Sequence, residues 1–199
     1  MADWTQTPTL SGSHVTLRPL VAEDRDALVA ATSDGRLWEL FYSLAPGPET
    51  IDRWFAATML EKEQGRGMPF AVLDAHGVVV GSTRYLRVHP ANRRVEIGGT
   101  FYAKRVQRTG LNTEAKLLLL GHAFDTLGCV CVQIRTDWFN KQSQRAIERL
   151  GAKLDGVLRG QRIMPDGRVR DTVVYSILDH EWRGVRQNLE MMLARGDKP

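Results

Sequence analysis

The chain has 199 residues, of which 43% are hydrophobic and 25% charged, and its formal net charge at pH 7 is +4. These values are ordinary for a globular protein that buries its own core. We therefore expect one domain over residues 1–199, ending in a helix from about residue 180 to 193. Because the arginines are spread along the chain, neither a nucleic-acid face nor a membrane-surface patch is expected.

The N-terminal segment and the cysteines predict a cytoplasmic protein. Residues 1–10 lack the basic and apolar segments of a secretory signal, and no apolar run approaches the ~18 residues of a membrane span. Cys129 and Cys131 have neither redox CxxC spacing nor a zinc pattern, so we expect buried free thiols. The five histidines show no metal-ligand spacing, and no metal is expected.

The first half of the chain predicts a strand, two helices and a three-stranded meander. Apolar spacing and turn residues set the bounds. The strand is expected at 14–18, the helices at 23–31 and 48–64, and the meander strands at 68–74, 78–88 and 95–103. Within the last strand the pair Gly98-Gly99 predicts a bulge or a close backbone approach.

The second half predicts a β-α-β unit, a hairpin and a final helix. A helix is expected at 114–127, a strand at 130–138, a helix capped by Asn140 that ends at Leu150-Gly151, and hairpin strands at 152–164 and 169–178. Asp179 is predicted to cap the last helix, and residues 195–199 to fray. A meander followed by β-α-β implies a mixed sheet with helices on both faces.

The stretch from Gln107 to Thr113 predicts an anion site. A glycine-containing turn between a strand and a helix presents unpaired N–H groups, and the helix dipole adds positive charge. Lys104, Arg105 and Arg108 are expected at the same corner. Neither GxxxxGK[ST] nor GxGxxG occurs. The spacing also allows an ordinary turn glycine at Gly110, with Thr109 or Asn112 as a plain helix cap.

Several motifs in order resemble the GNAT superfamily of acyl-CoA-dependent N-acetyltransferases, in particular its RimL/RimJ-like subgroup. Gln107 and Gly110 match its phosphate signature [R/Q]-x-x-G-x-[G/A], from which Asn112 departs. Residues 109–116 resemble TG-x-NTEAK, residues 137–152 match D-x-x-N-x-x-S-x-x-A-I-x-x-L-G-A, and residues 166–172 resemble a closing DG-x-x-RD hairpin. The likeness covers about residues 13 to 182.

The resemblance implies a single-domain α/β GNAT fold, with a mixed, mostly antiparallel sheet whose central strands splay apart. It implies acetyl-CoA, or coenzyme A, as the cofactor, with pantetheine pairing along the strand backbone at Phe101 and Tyr102 and reached by Asn140 from the other wall. The implied cofactor-binding residues are Phe101, Tyr102, Gln107, Arg108, Thr109, Gly110, Leu111, Asn112, Thr113, Asn140 and Ser143.

The implied chemistry is attack of an amine on a thioester, which requires the ammonium group to lose a proton. Glu96 is the candidate base, directly or through water, because it alternates with Val95 and Ile97 and points to the opposite face; an exposed strand carboxylate is the alternative. A strand amide near Phe101 is the candidate donor to the oxyanion.

The candidate acid comes from the helix after the fifth strand of the family's fold. The position of the superfamily's common tyrosine is Ile147 here, and the RimL-like pattern points instead to Ser143 as acid or sulfur contact. The alternative for Ser143 is a hydroxyl that merely caps its helix.

The acceptor stays open at this level, because acceptor specificity resides in variable loops. A peptide N-terminus, a polyamine, an aminoglycoside or another small amine all fit, and a homodimer is neither predicted nor excluded. Trp38, Phe41, Tyr42 and Trp54 either line an acceptor pocket or form core. The alternative function is a CoA-binding sensor with little or no turnover.

Overall fold

A mixed sheet of eight strands runs through the protein in the order β1-β2-β3-β4-β5-β6-β8-β7. The computed structural model describes residues 3–196. The strands are β1 Leu10–Ser11, β2 Val15–Pro19, β3 Gly67–Asp74, β4 Val79–His89, β5 Arg94–Tyr102, β6 Cys131–Asp137, β7 Lys153–Ile163 and β8 Val169–Leu178. Within the described residues β5 and β6 pair in parallel and every other neighbouring pair is antiparallel.

Five α-helices flank the sheet. They are α1 Arg25–Ser33, α2 Ile51–Glu63, α3 Gly110–Gly121, α4 Lys141–Arg149 and α5 Trp182–Ala194, and a π-helical turn, His122–Thr126, continues α3. The predicted order of elements is confirmed, and the two-residue strand β1 is an addition that its short sequence did not signal.

The helices pack on both faces of the sheet, as predicted. On one face α3, α4 and α5 cover the larger core, which includes Val95 and Ile97 of β5. On the other face α1 and α2 cover a smaller core around Leu28, Ile51 and Phe101. We call these the α3 face and the α2 face. Helices α1 and α2 lie over the β3 and β4 side, and no helix among residues 3–196 packs extensively on the α2 face of β6, β8 and β7.

A bulge in β5 confirms the prediction from the glycine pair. Ser82 lies opposite Phe101 and Arg84 opposite Gly98, so two residues of β5, Gly99 and Thr100, face a single residue of β4. Gly99 has φ +57°, which an L side chain rarely adopts. The extra residue switches the faces, and this is why Ile97 points to the α3 face while Phe101 points to the α2 face.

The central strands splay beyond the bulge. Pairing between β5 and β6 ends at Ile97 and Ile134, although β5 runs on to Tyr102 and β6 to Asp137. The predicted splayed pair is therefore present. The backbone edge of β5 after Ile97 has no strand partner on this side, and a gap opens between the two strand ends.

Two predicted helix starts were wrong. Helix α3 begins at Gly110 rather than Glu114, so the glycine turn forms the first turn of the helix itself. Asp179 starts a short 3₁₀ turn, and α5 begins after it at Trp182. Strand β6 begins at Cys131, so Cys129 lies in the preceding loop; both thiols are free, Cys129 buried and Cys131 half-buried. The frayed tail predicted for 195–199 extends beyond the described residues.

Candidate active site

The turn after β5 is tied back to the strand end. The Ala103 N–H donates to the Val80 carbonyl of β4 at 2.8 Å, so the peptide groups of Tyr102 lie on the opposite edge, toward the gap. The Gln107 side chain donates through Nε2 to the Tyr102 carbonyl at 2.9 Å. Gln107 thus holds the turn against the strand, while the Tyr102 N–H remains directed to the gap.

The start of α3 offers backbone donors. Thr109 is the N-cap: its Oγ1 accepts from the Leu111 N–H at 3.3 Å and donates to the Val106 carbonyl at 2.7 Å. The N–H groups of Gly110 and Asn112 have no partner within the helix, because the first turn lacks preceding carbonyls. Thr109 therefore caps the helix, as one alternative predicted, and the amides of Gly110 and Asn112 remain available to an anion.

The residue with left-handed backbone in this turn is Arg108, at φ +58°, and not Gly110. A side chain at Gly110 would lie 3.3 Å from Cδ2 of His14. Gly110 is thus kept small by contact with His14 rather than by its own conformation.

Of the three cationic side chains expected beside this turn, two lie there and one does not. Lys104 and Arg108 are exposed beside the turn. Arg105 does not join them, because its guanidinium pairs with Asp74 at 3.0 Å, on the side of β5 away from the gap. The side chains of Leu111 and Thr113 point inward, and the Thr113 hydroxyl accepts from Arg149 of α4 at 3.1 Å. Their backbone alone is available to a ligand.

The start of α4 forms the other side of the gap, since α4 follows the end of β6. Asn140 is the N-cap, as predicted: its Oδ1 accepts from the Ser143 N–H at 3.0 Å. The capping alternative for Ser143 is therefore wrong. Its hydroxyl makes no hydrogen bond to any residue from 3 to 196 and stays available. Ile147, at the position of the superfamily's common tyrosine, is buried in the core at 5% exposure.

Glu96 lies at the base of the gap on the α2 face, opposite Gln133 and one residue before the last β5–β6 pair. The predicted orientation is right, but the carboxylate is not exposed: 7% of the residue is accessible. Its Oε2 lies 2.9 Å from Nε of Arg87 and 3.2 Å from Nε of Arg135. Burial raises the pKa of Glu96 above its usual range, and the two guanidinium groups oppose that shift only in part.

A pocket of about 230 Å³ opens onto this carboxylate. Glu96 and Arg135 line it together with Arg87, Arg94 and Gln133. A group that enters from the α2 face can therefore reach Glu96.

The sequence did not single out the arginines around Glu96. Arg84, Arg135 and Arg170 are largely buried on the α2 face. Each of these arginines alternates with core residues along its own strand, and this pattern predicts that its side chain lies on the face away from the core. The pattern does not tell which arginines lie close together, because that depends on the order of the strands in the sheet.

The aromatic residues of the α1–α2 loop and of α2 divide between the core and the rim of the open α2 face. Trp54 packs against Phe101, with ring centroids 5.6 Å apart, and belongs to the core. Phe41 crosses to the turn after β6, where its ring lies 5.8 Å from Phe139, and the Arg168 guanidinium covers both rings. The loop thus forms a rim of the open α2 face.

No group of three or more His, Cys, Asp or Glu side chains in residues 3–196 is arranged to hold a metal ion. No helix in the same range is both long and apolar enough to cross a bilayer.

The fold and the gap define an acyltransferase of the GNAT type. Residues 14–153 match the family described as "Acetyltransferase (GNAT) domain", and the chain belongs to that family. It is accordingly an acyltransferase enzyme whose acyl donor is acetyl-CoA. The free amides at the start of α3 and the unpaired edge of β5 fit the phosphates and the amide-bearing arm of that cofactor.

Relatives of the chain agree with the family. "Putative ribosomal N-acetyltransferase YdaF" of Bacillus subtilis (strain 168) is 27% identical over 177 residues, covering 86% of this chain and 94% of the relative. The crystal structure of a GCN5-related N-acetyltransferase from Brucella melitensis has a TM-score of 0.85 at 29% identity and covers 99% of this chain and 93% of its own. Mycobacterium smegmatis RimJ in complex with CoA-disulfide shares the fold, with a TM-score of 0.79 at 20% identity, covering 96% of this chain and 95% of its own.

Proposed function

We propose that the protein transfers the acetyl group of acetyl-CoA to a primary amine, with a peptide N-terminus as the acceptor and Glu96 as the base. The observation that carries the proposal is a buried carboxylate of raised pKa at the base of the β5–β6 gap, open to a pocket on the opposite side from the cofactor loop. A peptide acceptor is supported by the relative named as a ribosomal N-acetyltransferase.

The residues around the gap have distinct parts in the reaction. The amides of Gly110 and Asn112, with Arg108, hold the phosphates, and Gln107, Thr109, Leu111 and Thr113 shape that loop. Bound acetyl-CoA supplies a thioester that an amine can attack. Glu96 accepts the ammonium proton, directly or through water, and the neutral amine would then form the new C–N bond. The second amine proton would leave as the C–S bond breaks, and the thiolate would leave as the thiol.

The remaining donors act on oxygen and sulfur. The Tyr102 N–H faces the gap and donates to the acyl oxygen, a role expected of an amide near Phe101, whose own side chain serves the core. The Ser143 hydroxyl donates to the leaving sulfur, and the Asn140 side-chain amide is free to reach the pantetheine arm. Transfer needs no metal in this scheme.

Acetyl-CoA binding tests the first half of the proposal. A ligand that binds only the folded state at a hundred times its Kd adds about 2.7 kcal/mol of stability, or about 5–10 °C in Tm for a chain of this size. No rise in Tm with acetyl-CoA would contradict the cofactor site.

Glu96→Gln tests the base. We expect kcat to fall by about 10²-fold or more while the acetyl-CoA shift in Tm is kept. In the wild type the rate falls as pH drops through the raised pKa of Glu96, above the usual ~4.3 of a glutamate, and the variant loses that limb. Free-thiol release measured across pH, with Glu190→Gln on α5 as control, decides this. An unchanged profile would move the role to another group, and tight binding without thiol release would favour the sensor alternative.

Two wider expectations stay proposals: a cytoplasmic location, which the free thiols support, and a single domain over the whole chain. The two hydrophobic cores found among residues 3–196 both pack against the same sheet, which supports a single domain.

A further inference from the structure

A row of arginines crosses the open α2 face, one on each of four strands around Glu96. In sheet order the row runs Arg84 on β4, Glu96 on β5, Arg135 on β6, Arg170 on β8 and Arg162 on β7. Arg162 lies directly opposite Arg170 in the β7–β8 register. We call Arg84, Arg135, Arg170 and Arg162 the arginine row.

Carboxylates do not balance the row. Glu96 interacts electrostatically with Arg84, Arg135 and Arg170, and with Arg87 beside them. Arg84 also pairs with Glu61 of α2 at 3.3 Å, so the carboxylates at the row are fewer than its guanidinium groups. Two other acids lie beside the row and have further partners. Asp137 is shared between Arg168 at 2.7 Å and Arg170 at 3.6 Å, and Asp155 accepts from the Ser176 hydroxyl at 2.6 Å.

Two members of the row have fewer partners than arginine usually has. Arg170 is 11% exposed, lies 3.6 Å from the Asp137 carboxylate and makes no hydrogen bond within residues 3–196, although its guanidinium carries five N–H donors. Arg162 is exposed and makes no ion pair there. It acts instead on Arg84 and Arg170, both of like charge. An arrangement that is unfavourable in the free protein becomes favourable when an anion lies among these groups.

We propose that the acceptor carries a carboxylate close to its reacting amine, and that the arginine row binds it. This inference rests on the proposed function and narrows its acceptor. The best fit is a peptide with acidic side chains just after its N-terminus. Polyamines and aminoglycosides carry several positive charges, and the row repels them.

The same charges assist the reaction. A cation near an ammonium group disfavours its charged form, so the row shifts the bound amine toward the neutral nucleophile. The carboxylate of the acceptor keeps binding favourable despite this repulsion, because it pairs with the guanidinium groups while the amine points to Glu96.

The experiment compares acceptors that differ only in charge. Free-thiol release is measured with four matched peptides whose second and third residues are Glu-Glu, Asp-Asp, Gln-Gln or Lys-Lys, with free glutamate and with spermidine. We expect kcat/KM to be at least about tenfold higher for the acidic than for the neutral peptides, and lowest for the Lys-Lys peptide and spermidine. Free glutamate distinguishes an α-carboxylate from an acidic side chain as the recognised group.

Arg162→Gln tests the row without touching Glu96. Because Arg162 is exposed, the variant should fold as the wild type does. We expect kcat/KM to fall about threefold for the acidic peptides, as for an exposed ion pair, and by less for the Gln-Gln peptide, so that the ratio between the two falls. Arg183→Gln, an exposed arginine on α5, is the matched control and should change neither. Added salt should reduce the acidic preference.

The outcomes separate this inference from the proposed function. Thiol release with equal kcat/KM for all peptides, or a preference for spermidine, overturns the inference and leaves acetyl transfer intact. If no acceptor releases thiol, calorimetry of the CoA-loaded protein with the Glu-Glu and Gln-Gln peptides still decides: preferential binding of the acidic peptide supports the row, and equal binding overturns it.

Discussion

Glu114→Gln removes one oxygen acceptor from a contact that joins α3 to the start of the sheet. The carboxylate of Glu114 accepts from three consecutive backbone N–H groups, those of Ser13 at 2.9 Å, His14 at 2.6 Å and Val15 at 2.9 Å. Glu114 is 8% exposed. The contact explains the neighbouring glycine too, because a side chain at Gly12 would lie 2.3 Å from this carboxyl carbon.

The cost follows from the donor count. A glutamine keeps one acceptor oxygen and turns an NH₂ group toward at least one of the three N–H groups. In its better orientation it keeps the bonds from His14 and Val15 without charge assistance and loses the bond from Ser13. A hydrogen bond to a charged group contributes roughly 1.5–3 kcal/mol and a neutral one about 1 kcal/mol; with the lower value for each bond to the carboxylate, the total loss is about 3 kcal/mol or more.

Thermal unfolding measures this loss. For a chain of this size about 3 kcal/mol corresponds to a fall in Tm of roughly 6–12 °C. Glu190→Gln on α5, where the side chain is exposed, should leave Tm within about 2 °C. The acetyl-CoA shift should persist in both variants, because the Glu114 carboxylate faces the β1–β2 turn. A Tm equal to that of the wild type, or loss of the acetyl-CoA shift, would refute the assignment of Glu114 as a structural clamp.

Two further stability predictions follow from buried groups. Burial lowers the pKa of Lys116 to about 8, from 10.5, although its Nζ lies 3.2 Å from Oγ1 of Thr100. Since the pKa of Lys116 is lower in the folded state than in the unfolded state, the free energy of unfolding falls as pH drops from 10.5 to 8 and is level below that range. Lys116→Met lacks this loss. Measured by urea unfolding, its stability relative to the wild type should therefore rise by about 3 kcal/mol between pH 10 and pH 7. Gly81→Ala would place its Cβ 2.1 Å from the Phe101 carbonyl oxygen, which should cost about 2 kcal/mol or more, while Gly184→Ala, with open space around it, should not destabilise.

The order of elements was predictable because each long segment carries its own period. The helix and strand patterns, the Asn140 cap and the Pro165–Gly167 turn are local signals, and local signals survive folding. The start of α3 was not predictable from the sequence, because glycine at position 110 has a low intrinsic helix propensity. Tertiary contact decides it: Thr109 caps the turn, and His14 packs against the glycine.

The residues of the candidate site also differ in whether local sequence could reveal them. Motif residues near the gap were found because the strand–turn–helix connection brings them together within one stretch of chain. The role of Glu114 and the arginine row were missed, because their partners lie far away in sequence. Arg84 lies on β4 and Arg170 on β8, with β5 and β6 between them in the sheet. Only the strand order shows that both side chains lie around Glu96.

The proposed base, Glu96, lies among guanidinium groups that weaken its basicity. Ion pairing with Arg87 and Arg135 stabilises the carboxylate and so lowers its affinity for a proton, whereas burial disfavours the charged form and prevails. A second carboxylate bound to the row changes this balance, because it takes up part of the positive charge that now acts on Glu96. The acceptor proposed for the row would therefore raise the proton affinity of Glu96 at the moment when its own ammonium group must lose a proton.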